Sequence, residues 1–172
     1  GTGVILQEAL LMGYSVYGTD VDERMVEYSK RNIQWLVAKK PEIIGRVVVE
    51  KADAVEYVWP GLSAVSTELY LGRALSRLPA PDQLQKIVVD VNTIAKKFLN
   101  NLGRQLKPGR KAALALPAWQ IGKNKFKYLP LIDDLTDMGY NIKKFKHISP
   151  DELVYHREGQ IVARQLIVLE KS

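Results

Sequence analysis

Twice in the first third of the chain, a short apolar run ends on an acidic residue. The run Tyr14 to Asp20 (YSVYGTD) closes on Asp20, and Arg46 to Lys51 (RVVVEK) ends just before Asp53. Val4 to Met12 is apolar and stops at Gly13, as a helix packed on a sheet does. After the first run, Asp22 reads as an N-cap, with Glu23 placing negative charge in the first helical turn. The helix that follows carries Met25, Tyr28, Ile33, Leu36 and Val37 before Lys39, Lys40 and Pro41 stop it. Alternation of helix, strand and acid restricts the chain to an α/β architecture built on parallel strands.

Ser63 to Tyr70 (SAVSTELY) supplies the next strand and its exit loop. Behind Pro79 and Pro81, Leu84, Ile87, Val88, Val91, Ile94, Ala95, Phe98, Leu99 and Leu102 recur at spacings of three and four, which predicts a long amphipathic helix. Lys107, Pro108 and Gly109 make a turn, and Lys111 to Leu116 (KAALAL) is a buried strand halted by Pro117. Leu129 to Met138 predicts a shorter helix closed by Gly139. The end of the chain, ELVYHREGQIVARQLIVLEK, has two strand-like halves around Glu158 and Gly159, a hairpin signal. The expected fold is an α/β sandwich in one domain over residues 1–172. Its sheet is mostly parallel with an antiparallel strand from the C-terminal hairpin, and helices cover both faces.

With no cysteine, neither a disulfide frame nor a thiolate metal site is possible, and the two histidines, His147 and His156, make a multi-histidine metal centre improbable. No apolar run approaches the roughly 18 residues that span a bilayer, and no secretion signal is visible, so the expectation is a soluble cytoplasmic protein without bound metal. The net charge of +6 is unevenly placed. From Val91 to Ile132 there is no acid but nine basic residues, leaving 16 basic against 19 acidic elsewhere. Such a field suits a polyanionic partner, or it is a solvated helix face and loop.

The chain opens on Gly1, Thr2 and Gly3, immediately before an apolar helix. A Gly-x-Gly bend there lets backbone approach a ligand and offers it the amides of the helix start. In a dinucleotide-binding loop the third glycine falls at position 6, which is Leu6, and the Gly-Lys-Ser/Thr of a phosphate-binding P-loop is absent. What remains is a nucleoside site without phosphates. Asp20, at the end of a strand, is placed to accept from ribose hydroxyls, and Asp53 from an adenine amino group. Two other readings stand beside these: Asp20 or Asp22 caps the following helix, and Asp53 caps the turn from Ala54 to Tyr57.

With these residues in hand, GTGVILQEALLMGYSVYGTDVDERMVEYSKRN resembles the Rossmann-fold S-adenosylmethionine-dependent methyltransferases, in particular the branch that modifies nucleic-acid amino groups, such as tRNA guanosine methylases and related RNA or DNA methylases. The resemblance implies S-adenosylmethionine as cofactor. It implies that Gly1, Thr2, Gly3, Asp20, Val21, Asp53 and Ala54 line its site. The family carries a strand and an acid before the bend, so the resemblance further implies that this chain is a piece of a longer product. In place of the family's Asp/Asn/Ser-Pro-Pro-Tyr/Phe loop stands STELYLGR. Tyr70 keeps the base-stacking ring, Thr67 or Glu68 takes the acceptor position, and both prolines are gone. Leu69 and Tyr70 would otherwise simply end a buried strand.

The implied reaction moves a methyl group to an exocyclic base amine of RNA, more readily than of DNA. The loop AWQIGKNKFKY interleaves Trp119, Phe126 and Tyr128 with Lys123, Lys125 and Lys127 and is the expected nucleic-acid contact, unless those aromatics anchor it on the core. Two other classes compete: a methyltransferase-like module that binds nucleic acid or a partner without chemistry, and a small-molecule methyltransferase.

Overall fold

The computed structural model describes residues 1–172, apart from the side chains at positions 150 and 151. Two compact units divide the chain, Gly1–Trp59 and Pro60–Ser172.

In the first unit, helix α1 (Val4–Leu11) leads to strand β1 (Val16–Asp20), helix α2 (Glu23–Lys39) and strand β2 (Val47–Lys51). The two strands pair in parallel, Val16 opposite Val47 and Asp20 opposite Lys51. A two-stranded sheet is marginal by itself; the helices supply its apolar cover. Leu6 of α1 sits where a Cβ on Gly18 would lie 2.5 Å from Leu6 Cδ1, so this strand position takes only glycine without repacking. The Asp22 cap forms as expected, with the Arg24 amide donating to Asp22 Oδ1 at 2.9 Å. The inward face of α2 is rotated from the expected one. Val26, Ser29, Ile33 and Leu36 are buried, whereas Tyr28 and Val37 are exposed.

The second unit holds β3 (Ala64–Glu68), α3 (Pro81–Gly103), β4 (Lys111–Gly122), β5 (Lys125–Lys127), α4 (Leu131–Asp134), β6 (Tyr140–Ile142), a 3-10 turn (Pro150–Leu153), β7 (Val154–Tyr155) and β8 (Val162–Lys171). Its sheet has the order β3-β4-β8-β6, with β5 on β4 and β7 on β8. β3 is parallel to β4, and both β4 and β6 are antiparallel to β8. Three of the four principal strands therefore point one way, and the C-terminal β8 runs against them. The hairpin around Glu158 and Gly159 is present, with Val154 opposite Gln165 and Gly159 at φ +77°.

α3 buries Leu84, Val88, Val91, Ala95, Phe98, Leu99 and Leu102, and leaves Ile94 exposed. On β4, Ala112, Leu114, Leu116 and Ala118 are buried in alternation, and the Tyr140 hydroxyl donates to the Leu99 carbonyl at 2.8 Å.

Two expectations fail here for identifiable reasons. Pro117 does not halt β4, which continues to Gly122. The Leu69 amide donates to Ala115 O, so odd-numbered residues of β4 turn their backbone polar groups toward β3, which has ended by the level of Pro117. The missing proline N–H costs no ladder bond there. The helix expected over Leu129 to Met138 is reduced to the four residues of α4, started where Asn92 Oδ1 accepts from the Leu131 amide, and it breaks into turns before Gly139. Its Asp-Asp-Leu-Thr-Asp sequence is poor in helix formers. Among the described residues, no helix is long and apolar enough to cross a membrane.

Candidate functional site

The first unit brings the glycine bend and Asp20 together. The Gly1 amino group donates to Asp20 Oδ2, and Asp20 Oδ1 accepts from the Asp22 amide at 2.9 Å. α2 holds the bend from behind: Ser29 Oγ donates to the Gly1 carbonyl at 3.0 Å and Asn32 Nδ2 to the Thr2 carbonyl at 2.9 Å. Gly3 adopts φ +80° and lies so close to α2 that a Cβ would meet Ser29 Cβ at 2.9 Å. Both the conformation and the contact require glycine. Val21, just past Asp20, is exposed.

Asp53 stands at the same end of the sheet as Asp20, since the Ala52 amide donates to Asp20 O at 3.0 Å. Its Oδ1 accepts from the Val55 amide at 3.0 Å, and its carbonyl accepts from Glu56 and Tyr57. The capping reading of Asp53 is thus realised, while each carboxylate oxygen retains a second lone pair for a ligand. The turn itself is clamped through Glu50. The hydroxyls of Tyr17 and Tyr57 both donate to Glu50 Oε1, and that bond holds the Tyr57 hydroxyl above its ordinary pKa. Ala54 lies half-buried within this turn.

A cleft of about 690 Å³ lies between α2 and β2 and is lined by Ile33, Val37, Ala38 and Val47. It adjoins the start of β2, at the opposite end from Asp53, and offers a lone charged group, Lys30. It is no part of the carboxylate cradle.

In the second unit, Thr67 and Glu68 end β3 and Tyr70 follows on the exit loop, half exposed. Thr67 is half-buried, its hydroxyl donating to its neighbour's carbonyl, Glu68 O, at 3.1 Å. Glu68 is engaged: Arg164 Nε donates to its Oε1 at 2.8 Å. Arg164 is itself anchored by Gln160 Oε1 at 3.1 Å and Val162 O at 3.2 Å.

The lysine-aromatic loop is a hairpin, β4 to β5, with Trp119 opposite Lys127 and Gln120 opposite Phe126. Trp119 is wholly buried and its indole N–H has no hydrogen-bond partner among the described residues, so it is core and not a stacking surface. Phe126 and Tyr128 remain half-buried; Lys123 and Lys125 are exposed, and Lys127 Nζ donates to Gln85 at 2.6 Å. The acid-free window is also divided in space. Arg104, Lys107, Arg110 and Lys111 gather where α3 ends and β4 begins, the full length of a 12-residue strand from Lys123 to Lys127.

Ser29, Asn32, Glu50 and Arg164 were not singled out by sequence. An acid inside the valine run of β2 and an arginine within the apolar β8 were the signals available for the last two.

No protein-family model and no curated protein sequence matches the chain. Solved structures do. A SAM-dependent methyltransferase from Methanosarcina mazei superposes with a TM-score of 0.63 at 15% identity, covering 99% of this chain and 88% of that one. TrmN from Thermus thermophilus gives a TM-score of 0.60 at 18% identity, over 100% of this chain and 42% of its own. Magnesium protoporphyrin IX methyltransferase from Synechocystis PCC 6803, solved with bound SAH, gives 0.62 at 14% identity, over 100% and 71%. The chain therefore has the α/β Rossmann-like fold of the SAM-dependent methyltransferases.

Proposed function

We propose that the chain binds S-adenosylmethionine through the Gly1–Gly3 bend, Asp20 and Asp53, and that it methylates an exocyclic base amine of nucleic acid, RNA before DNA. The observation that carries the first part is the bracing of the bend from α2, where Ser29 donates to the Gly1 carbonyl and Asn32 to the Thr2 carbonyl, beside the strand end at Asp20. Asp20 is partly exposed, with acceptor capacity left for ribose hydroxyls, and the clamped Asp53 turn adds a second carboxylate at the same strand ends. When bound, the cofactor supplies an electrophilic methyl on its sulfonium sulfur. Tyr70 would stack on the acceptor base, and Glu68, oriented by Arg164, would accept a hydrogen bond from the amine and keep its lone pair available. Lys123 and Lys125 would face phosphates.

The fold is shared by a magnesium protoporphyrin IX methyltransferase and a glycopeptide N-methyltransferase, so the nucleic-acid target rests on this chain's own lysines and aromatics. A second reading, binding without chemistry, draws support from Glu68 being committed to Arg164 and from the loop without prolines. Calorimetric titration with S-adenosylhomocysteine tests the cofactor: binding is expected, and Asp20→Ala should abolish it. Absence of binding by the unaltered chain would sink both methyltransferase readings. Label transfer from methyl-tritiated cofactor to bulk tRNA separates catalysis from binding alone.

A further inference from the structure

The second unit contains a cleft of about 430 Å³ between the β4–β5 hairpin and the segment leading into β7. Its size falls within the range of small-ligand sites, about 300–1,000 Å³. Phe126, Tyr128, Val154 and His156 line it, with the exposed Asn124 and Glu152. The Phe126 ring meets His156 edge-on at 5.7 Å between centroids and tilts against Tyr128 at 6.4 Å.

The polar groups of this cleft are held in defined states. His156 Nε2 lies 2.6 Å from Gln160 O, and a carbonyl can only accept, so Nε2 carries a proton. Ser149 donates to Glu152 Oε2 through both its amide, at 2.7 Å, and its hydroxyl, at 2.9 Å. These bonds, the amide first, keep the Glu152 carboxyl below its ordinary pKa, so it presents acceptors only. Asn124 is the one described non-glycine residue at positive φ, 55°, and the turn it makes carries its amide beside the cleft. Gln160 further joins the cleft to the acceptor loop: its carbonyl takes His156, and its side chain takes Arg164, which holds Glu68.

We infer that this cleft receives an unpaired nucleobase bearing an exocyclic amine, from the same strand that presents a base to Glu68 and Tyr70. Flat aromatic walls accept any base; the fixed Glu152 carboxylate selects those with an amine to donate. Exposed Lys123 and Lys125 on the adjoining hairpin complement the phosphates of a strand better than a free metabolite. This rests on the nucleic-acid part of the proposed function and not on the methyl donor.

The test is fluorescence anisotropy with labelled hexaadenylate, hexacytidylate and hexauridylate, without cofactor. The two amine-bearing hexamers should bind about fivefold or more tighter than hexauridylate, and all should weaken as salt rises. Phe126→Ala should lower hexaadenylate affinity about tenfold. Glu152→Gln, at an exposed position, should erase the preference over hexauridylate. Equal binding of the three hexamers, unaltered by either cleft variant, overturns the inference and leaves nucleic-acid binding standing. No binding of any hexamer removes both.

Discussion

Arg164 and Glu68 meet across the back of β4. Glu68 pairs with Ala115 and Arg164 with Pro117, so their side chains leave the same face of the sheet two residues apart and close to 2.8 Å. Arg164 thereby fixes a carboxylate at the point where β3 gives way to the Tyr70 loop.

Replacing Arg164 with Met frees that carboxylate. Misplacing an acceptor by an ångström costs about a hundredfold in rate, so kcat for methyl transfer should fall by that order while S-adenosylhomocysteine affinity holds. The pair is partly exposed, and such pairs contribute roughly 0–1 kcal/mol. Urea denaturation should therefore move little, and a large loss of stability would mark Arg164 as merely structural.

Gly18→Ala should destabilise by no more than about 1 kcal/mol, because its Cβ meets only the methyl end of the half-buried Leu6 side chain, which turns aside. Leu6→Ala in that background should recover part of the loss, since the two changes share one contact. Additive losses in urea melts would contradict the packing described.

Trp119→Ala should cost about 3–5 kcal/mol, as expected for emptying a wholly buried aromatic site. Trp119→Phe should be far milder and should leave oligonucleotide affinity unchanged. Iodide should quench the exposed Trp35 and spare Trp119.

Tyr140 is buried with its hydroxyl on Leu99 O, and burial pushes its pKa up to about 12. The folded state thus favours the protonated phenol. Its contribution is complete below the ordinary tyrosine pKa near 10 and is lost as pH rises from about 10 to about 12, to a total of about 2–3 kcal/mol. Alkaline titration followed at the phenolate absorbance should show Tyr140 ionising late among the eight tyrosines, beside the raised Tyr57, and Tyr140→Phe should remove its share of the late step.

The helical periodicities and the strand ends were legible because they depend on neighbours in sequence. Asp22 caps α2, α3 buries the stripe from Leu84 to Leu102, Asp20 ends β1 and Asp53 follows the end of β2. Legibility ended where partners came from afar. Trp119 looked like a loop aromatic until β5 and β8 closed over it, and the lysine-rich window seemed continuous until a 12-residue strand separated its halves. The inward face of α2 turned on Ser29, a polar residue buried because it serves the Gly1 carbonyl.

Pro117 has an effect beyond its own strand. Lacking a donor, it offers nothing to the Leu69 carbonyl, and pairing with β3 ends at Ala115. An alanine there would supply the missing donor and let Leu69 to Leu71 lie down along β4, drawing the Tyr70 ring out of solvent. The freedom of that ring is thus written into a residue nearly fifty positions downstream.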